Sequence, residues 1–142
     1  MVAEKGKILL EIVSPSRLVI RSDQVDEVIA PGSEGEFGVL PGHMPFLTTL
    51  KMGILSYREG EKWSHLAVEW GYAEVGANRV IILAEGADKA SEINITEARE
   101  MKERAEKTIA EKRDEKDVER ARIELLKALI RIQVAEKHEL NK

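Results

Sequence analysis

Two carboxylates, Glu34 and Glu36, lie in a glycine-rich run, Pro31-Gly32-Ser33-Glu34-Gly35-Glu36-Phe37-Gly38, and a histidine, His43, follows Pro41-Gly42. Paired acids can divide general-acid and general-base duties, a histidine can move protons near neutral pH, and glycine loops can cradle phosphate. The surroundings argue against all three. The run lacks a Gly-Lys-Ser/Thr ending, and its two carboxylates repel phosphate. No third polar group stands nearby in sequence to set Glu34 apart from Glu36. Ser, Asp and His form no nucleophile motif. Turn-making glycines, a solvated acidic loop and a histidine lining a turn or contact surface are the preferred readings. A basic set, Arg120, Arg122, Lys127 and Arg131, borders the apolar lines of a C-terminal helix and suits an acidic partner surface or a nucleotide phosphate. The other charges of that region read as solvated faces. Cysteine is absent, which excludes disulfides, thiol nucleophiles and Cys-based zinc sites. The three histidines, His43, His65 and His138, are far apart, so no metal site is expected. No catalytic residue is assigned.

The elements that must position these residues fall into two regimes. All ten glycines, all four prolines and all six aromatics lie in residues 1–87. Residues 88–142 have none, and 28 of those 55 are charged, 14 of each sign, so the whole net charge of −4 sits on the first part. Gly and Pro punctuate short elements, whereas an Ala/Glu/Lys/Arg/Leu-rich stretch without them favours long helices. Two domains are therefore expected, 1–87 and 88–142.

In the first domain, apolar pieces recur from Lys7–Val13 to Val80–Leu83, separated by Ser14-Pro15-Ser16, Pro31-Gly32, Pro41-Gly42, Glu59-Gly60 and Gly76-Ala77-Asn78. This spacing predicts an antiparallel β-sandwich of about eight to ten short strands in two sheets. There is no room for the helical crossovers of a parallel α/β fold. In the second, Asn94 with Glu97 three residues on opens a helix carrying Ala98, Met101, Ala105 and Ile109. A charged break, 111–115, turns the chain, with Asp114 capping a second helix. That helix has one line of Val118, Ala121, Leu125, Ala128, Ile132 and Ala135, and another of Ile123, Leu126, Ile130 and Val134, with Leu129 between. The result is an antiparallel two-helix hairpin, making the class α+β. Helix two carries more apolar surface than helix one can cover, and the excess must meet the sandwich or another protein.

The charge balance of 22 basic to 26 acidic side chains argues against a nucleic-acid binder. No apolar run reaches the roughly 18 residues of a membrane span, and the start lacks a signal-peptide layout, so a cytosolic-side protein is expected.

The run Gly32 to Leu47, Gly-Ser-Glu-Gly-Glu-Phe-Gly-Val-Leu-Pro-Gly-His-Met-Pro-Phe-Leu, resembles the signature loop of the epsilon subunits of bacterial F-type ATP synthases. Val13-Ser14-Pro15, Leu50-Lys51-Met52-Gly53, Gly71-Tyr72-Ala73-Glu74-Val75, Val80–Ala84 and Glu124-Leu125-Leu126-Lys127-Ala128 add to it. The resemblance implies a non-catalytic rotor subunit of the central stalk, at the cytoplasmic face of the bacterial plasma membrane and joined to it only through the complex. It implies that the sandwich clamps the gamma subunit and rests on the ring of c subunits, helping couple ion flow to ATP synthesis. Glu36 would face the c-ring loops, and His43 with Met44 would face gamma. The hairpin would either fold against the sandwich or extend along gamma toward the alpha and beta subunits of the head, where it restrains ATP hydrolysis. Arg120, Arg122, Lys127 and Arg131 would then meet an acidic segment of beta. The hinge for such a move is expected in Glu85–Ser91, where the composition changes and Gly86 can absorb dihedral rotation. Some members of the family bind ATP through Ile/Leu-Asp-x-x-Arg-Ala at the start of helix one. Aligned at Ile93 this chain loses both Asp and Arg; aligned at Ile95 it keeps Arg99 but has Thr96 for Asp and Glu100 for Ala. Arg99, Lys127 and Arg131 are the remaining nucleotide candidates, and no cofactor is expected. The alternative is a free-standing adaptor domain with a helical tail.

Overall fold

The computed structural model describes residues 6–111 and 114–140. Lys112 and Arg113 of the expected charged break, and the start of the chain, lie outside them. The described residues divide into two compact units, the first ending at Lys89 and the second beginning at Ala90.

The first unit is all β: β1 (Ile8–Ser14), β2 (Arg17–Val25), β3 (Glu27–Gly32), β4 (Gly35–Val39), β5 (Phe46–Leu50), β6 (Gly53–Glu59), β7 (Lys62–Val68), β8 (Gly71–Val75), β9 (Arg79–Ala84) and β10 (Ala87–Lys89). Nine of them follow one hydrogen-bonded path, β10-β7-β6-β3-β5-β8-β9-β1-β2, and β4 pairs with β3 off that path. The expected two sheets are thus one continuous sheet that doubles back. Its last strand, β2, is tied across the fold to the other end of the path: Arg17 Nη2 donates to the Ala87 carbonyl of β10 at 3.2 Å, and Ser22 Oγ donates to Glu59 of β6 at 2.7 Å. One pairing corrects the antiparallel expectation. β1 runs parallel to β9, Leu10 beside Val80 and Ile12 beside Ile82. No helical crossover is needed, because strands β2 to β8 themselves form the connection.

Alternation sends Ile8, Leu10, Ile12, Val25, Val28, Val39, Leu55, Leu66, Val80 and Ile82 inward, and all ten are fully buried. Burying each such side chain contributes about 1.5–3 kcal/mol, so this row of aliphatics is the main source of the unit's stability. A polar staple closes one corner. Asp26 takes Lys7 Nζ at 2.6 Å and the Gly60 amide at 2.7 Å, with Arg58 Nη1 at 3.8 Å. The Lys7 hydrogen bond first, and the Gly60 amide second, hold the Asp26 carboxyl below the usual aspartate range against the opposing effect of desolvation.

The second unit opens with a 3-10 turn, Ala90–Glu92, followed by α1 (Ile95–Ala110) and α2 (Glu115–Leu140). Asn94 is the N-cap of α1, its side chain accepting from the Glu97 amide at 3.1 Å. Asp114 caps α2, accepting from the Lys116 amide at 3.3 Å through Oδ1 and from the Val118 amide at 3.1 Å through its carbonyl. Small residues line the helix pair: Ala98 and Ala105 on α1, Ala121, Ala128 and Ala135 on α2, all buried. Of the second apolar line, Ile130 and Val134 are buried, whereas Leu126 and the adjacent Leu129 are exposed.

Candidate functional site

Glu34 and Glu36 are presented by the β3–β4 hairpin. Its turn is tight because Gly32 stands opposite Gly35 and Gly35 takes φ +130°, a conformation open to glycine but rare for other residues. A Cβ on Gly32 would lie 2.7 Å from the Gly35 carbonyl oxygen and 2.9 Å from the Phe37 ring, so the hairpin closes only around glycine there. Ser33 anchors it to β5: its amide donates to the Thr49 carbonyl at 2.9 Å, and its hydroxyl accepts from Thr49 Oγ1 at 2.7 Å. Glu36 pairs opposite Pro31 and points to solvent. Glu34 and Glu36 are both exposed, without the burial that a catalytic carboxylate pair requires.

His43 and Met44 sit in the loop joining β4 to β5. Gly42, at φ +87°, donates its amide to the Ala77 carbonyl, fastening the loop to the β8–β9 turn. His43 Nδ1 lies 2.7 Å from the Met44 carbonyl. A carbonyl only accepts, so Nδ1 carries the proton there. The imidazole leans on Phe46, centroids 5.3 Å apart, and Phe46 meets Phe37 edge-on at 5.1 Å. Met44 in this loop is 80% exposed, and Leu47 at the start of β5 is 70% exposed, two large apolar side chains turned to solvent.

A surface that strand-by-strand reading missed crosses the sheet beside it. The pairings Thr49–Tyr72, Tyr72–Leu83, Leu83–Val13 and Val13–Leu18 put these residues in one row over β5, β8, β9, β1 and β2. Tyr72, Leu83 and Leu18 are each more than half exposed. The neighbouring row is mixed, with Leu47, Glu74, Ile81, Glu11 and Arg21, and Arg79 pairs with Glu11 at 3.5 Å. Alternation in Tyr72-Ala73-Glu74-Val75 signals that Tyr72 points outward; only the register joins it to Leu18.

On the hairpin, Arg120 and Arg122 are exposed, while Lys127 and Arg131 are half-buried. Arg122 lies 4.0 Å from Glu119, and Lys127 lies 3.7 Å from Glu124. A cleft of about 370 Å³ between α1 and α2 is lined by Met101, Arg104, Ala105, Thr108, Asp117, Arg120, Ala121 and Glu124. It includes Arg120 but none of the nucleotide candidates Arg99, Lys127 and Arg131. Gly86 is not at the division between the units. It precedes β10, accepts the Glu69 amide at 2.8 Å, and packs against the Glu69 side chain, while Ala87–Lys89 pair with β7. Among the described residues no three His, Asp or Glu side chains cluster as a metal site, and no helix is long and apolar enough to cross a membrane.

The described residues thus form a ten-strand sandwich with exposed apolar and acidic surfaces, followed by a capped helical hairpin. Family models agree with both units: the ATP synthase delta/epsilon chain β-sandwich domain matches residues 7–90, and the delta/epsilon long α-helix domain matches residues 91–136. The chain belongs to the ATP synthase delta/epsilon chain family. Similar proteins are the ATP synthase epsilon chain of Syntrophobacter fumaroxidans, 50% identical over 131 residues, and that of Geotalea daltonii, 47% identical over 136. The alignments cover 92% and 95% of this chain and 97% and 96% of those relatives. The fold matches a chain in the cryo-EM structure of the Euglena gracilis mitochondrial ATP synthase (OSCP/F1/c-ring, rotational state 1). There the TM-score is 0.68 at 24% identity, covering 95% of this chain and 81% of that one.

Proposed function

We propose that the chain is a non-catalytic rotor subunit in the central stalk of an F-type ATP synthase, held at the cytoplasmic face of the bacterial plasma membrane through the complex. The observation that carries this reading is the exposed apolar row Leu18–Val13–Leu83–Tyr72, with Leu47 in the adjoining row. A sheet face of this kind suits a protein surface that covers it permanently. In this reading gamma covers the row and the His43–Met44 loop. Glu36, at the edge of the β3–β4 hairpin, meets basic groups on the c-ring loops. The hairpin, with Leu126 and Leu129 exposed, exchanges partners between a retracted and an extended state, and Arg120, Arg122, Lys127 and Arg131 engage acids of the beta subunit in the extended one. Because Ala87–Lys89 are stitched to β7, the joint that permits this motion falls at the end of the expected Glu85–Ser91 range, past Lys89, and not at Gly86. ATP is not needed by the reading, and the half-lost Asp/Arg pair argues against a tight nucleotide site.

Affinity capture of the tagged chain from native membranes tests it. Gamma should be recovered, and Tyr72→Glu with Leu83→Glu should abolish that recovery while leaving the melting temperature close to that of the parent. Capture without gamma would favour the adaptor alternative.

A further inference from the structure

β4 bears Glu36, and the loop after it bears His43 and Met44, yet no backbone ladder joins β4 to β5. β4 pairs with β3 alone, β5 pairs along its length with β8, and β3 meets β5 around the Gly32–Leu50 pair, where the Ser33 amide donates to Thr49 and the Lys51 amide to Pro31. The hairpin carrying Glu36 is therefore held through β3, to β6 at one end and to β5 at its turn, while β4 lies on its outer side. What spans the gap farther along is aromatic: Phe37 on β4, Phe46 on β5, and the His43 imidazole. Phe37 and Phe46 are both half-buried and packed on the core cluster. Phe46 touches both neighbours, edge-on to Phe37 and tilted by 51° to His43. The Ser33–Thr49 bonds fix the turn of the hairpin, and the ladder to β3 with the buried Val39 holds β4 itself, so the aromatic contact is what couples β4 sideways to the start of β5.

We infer that Phe46 is a positioning residue that braces β4 against the His43–Met44 loop and so fixes the spacing of the two surfaces presented by Glu36 and by Met44. The inference rests on the proposed reading only in taking those surfaces as contacts for two partners. An edge-to-face contact needs a ring with a defined orientation, which an aliphatic side chain of similar bulk does not supply. A rotor subunit seated on two partners at once transmits torque between them only if their spacing is held, and this brace holds it.

The absence of cysteine makes paired spin labels direct to place. Labels on Glu36→Cys and Met44→Cys of the full-length chain should give a narrow distance distribution. Phe46→Leu, and separately Phe37→Leu, should broaden it about twofold or more, and Phe46→Tyr should restore the parental width. A control pair on Gln24 and Asn78 should keep its width in every variant, separating a loosened β4 from general unfolding. In the assembled complex, Phe46→Leu should lower the number of ions pumped per ATP hydrolysed, with rescue by Phe46→Tyr. Parental widths in both leucine variants overturn the inference. Broadened widths with unchanged coupling uphold the brace and count against Glu36 and Met44 as partner contacts.

Discussion

At the scale of single residues, the chain separates side chains that hold the fold from side chains that face outward. Asp26 belongs to the first group. Its carboxylate is stabilised by Lys7 and the Gly60 amide, so its folded-state pKa lies below its unfolded one. A depressed carboxylate contributes stability that is fully present above the unfolded value, about 4, and is lost as pH falls through the lower folded value. Asp26→Asn should therefore lower the melting temperature at pH 7 and flatten its decline below about pH 4. A melting series from pH 2 to 7 reads this directly, and parallel curves for the two proteins would remove the staple from the account. Glu36 and Met44 belong to the second group: their exposure costs the isolated chain nothing in packing and leaves them free for partners.

At the scale of elements, close approach of strands decides which glycines are replaceable. A Cβ on Gly71 would overlap the Leu83 carbonyl oxygen and come within 2.8 Å of Ala84 Cα, both backbone atoms of the adjacent β9. Backbone cannot swing aside as a flexible side chain can, so Gly71→Ala must part β8 from β9. Overpacking of this kind costs about 1–3 kcal/mol, enough to lower the melting temperature by several degrees. Gly38 is the matched control. Its nearest neighbour would be Val28 O at 3.9 Å, and Gly38→Ala should stay within about 0.5 kcal/mol of the parent. Equal losses from the two substitutions, by chemical denaturation, would mean that interstrand distance is not what Gly71 secures. The helices follow a different rule. Caps at Asn94 and Asp114 satisfy their first amides, and alanines let them approach, leaving the bulkier leucines of α2 for other surfaces.

At the scale of the whole molecule, the two units set up a test of the hairpin as a movable brake. Ending the chain after Lys89 keeps β10 paired with β7, whereas ending it at Ala87 cuts that strand. The fragment to Lys89 should unfold cooperatively and retain gamma. A complex assembled with it should hydrolyse ATP faster than one with the full chain, while synthesis stays largely coupled. Arg120→Ala, Arg122→Ala and Arg131→Ala together should produce part of that rise. Equal hydrolysis rates with and without residues 90–142, over a range of ATP concentrations, would make the hairpin a structural prop instead.

What the sequence by itself determined is whatever local chemistry controls. Loss of Gly, Pro and aromatics after residue 87 separated strand-forming from helix-forming chain; Asn94 and Asp114 announced helix starts; Pro-Gly and Gly-Ala-Asn announced turns. These signals act over a few residues, and so they are legible without a structure. Tertiary structure alone decided the register that aligns Leu18, Val13, Leu83 and Tyr72, the parallel seam of β1 with β9, and the capture of Ala87–Lys89 by β7. It also decided that Phe46 meets Phe37 on β4, a strand with no ladder of its own to β5. Each of these depends on pairing between residues far apart in sequence. Side-chain packing selects one register among several that the same alternation permits, and a slip of one residue would turn the apolar row to the other face.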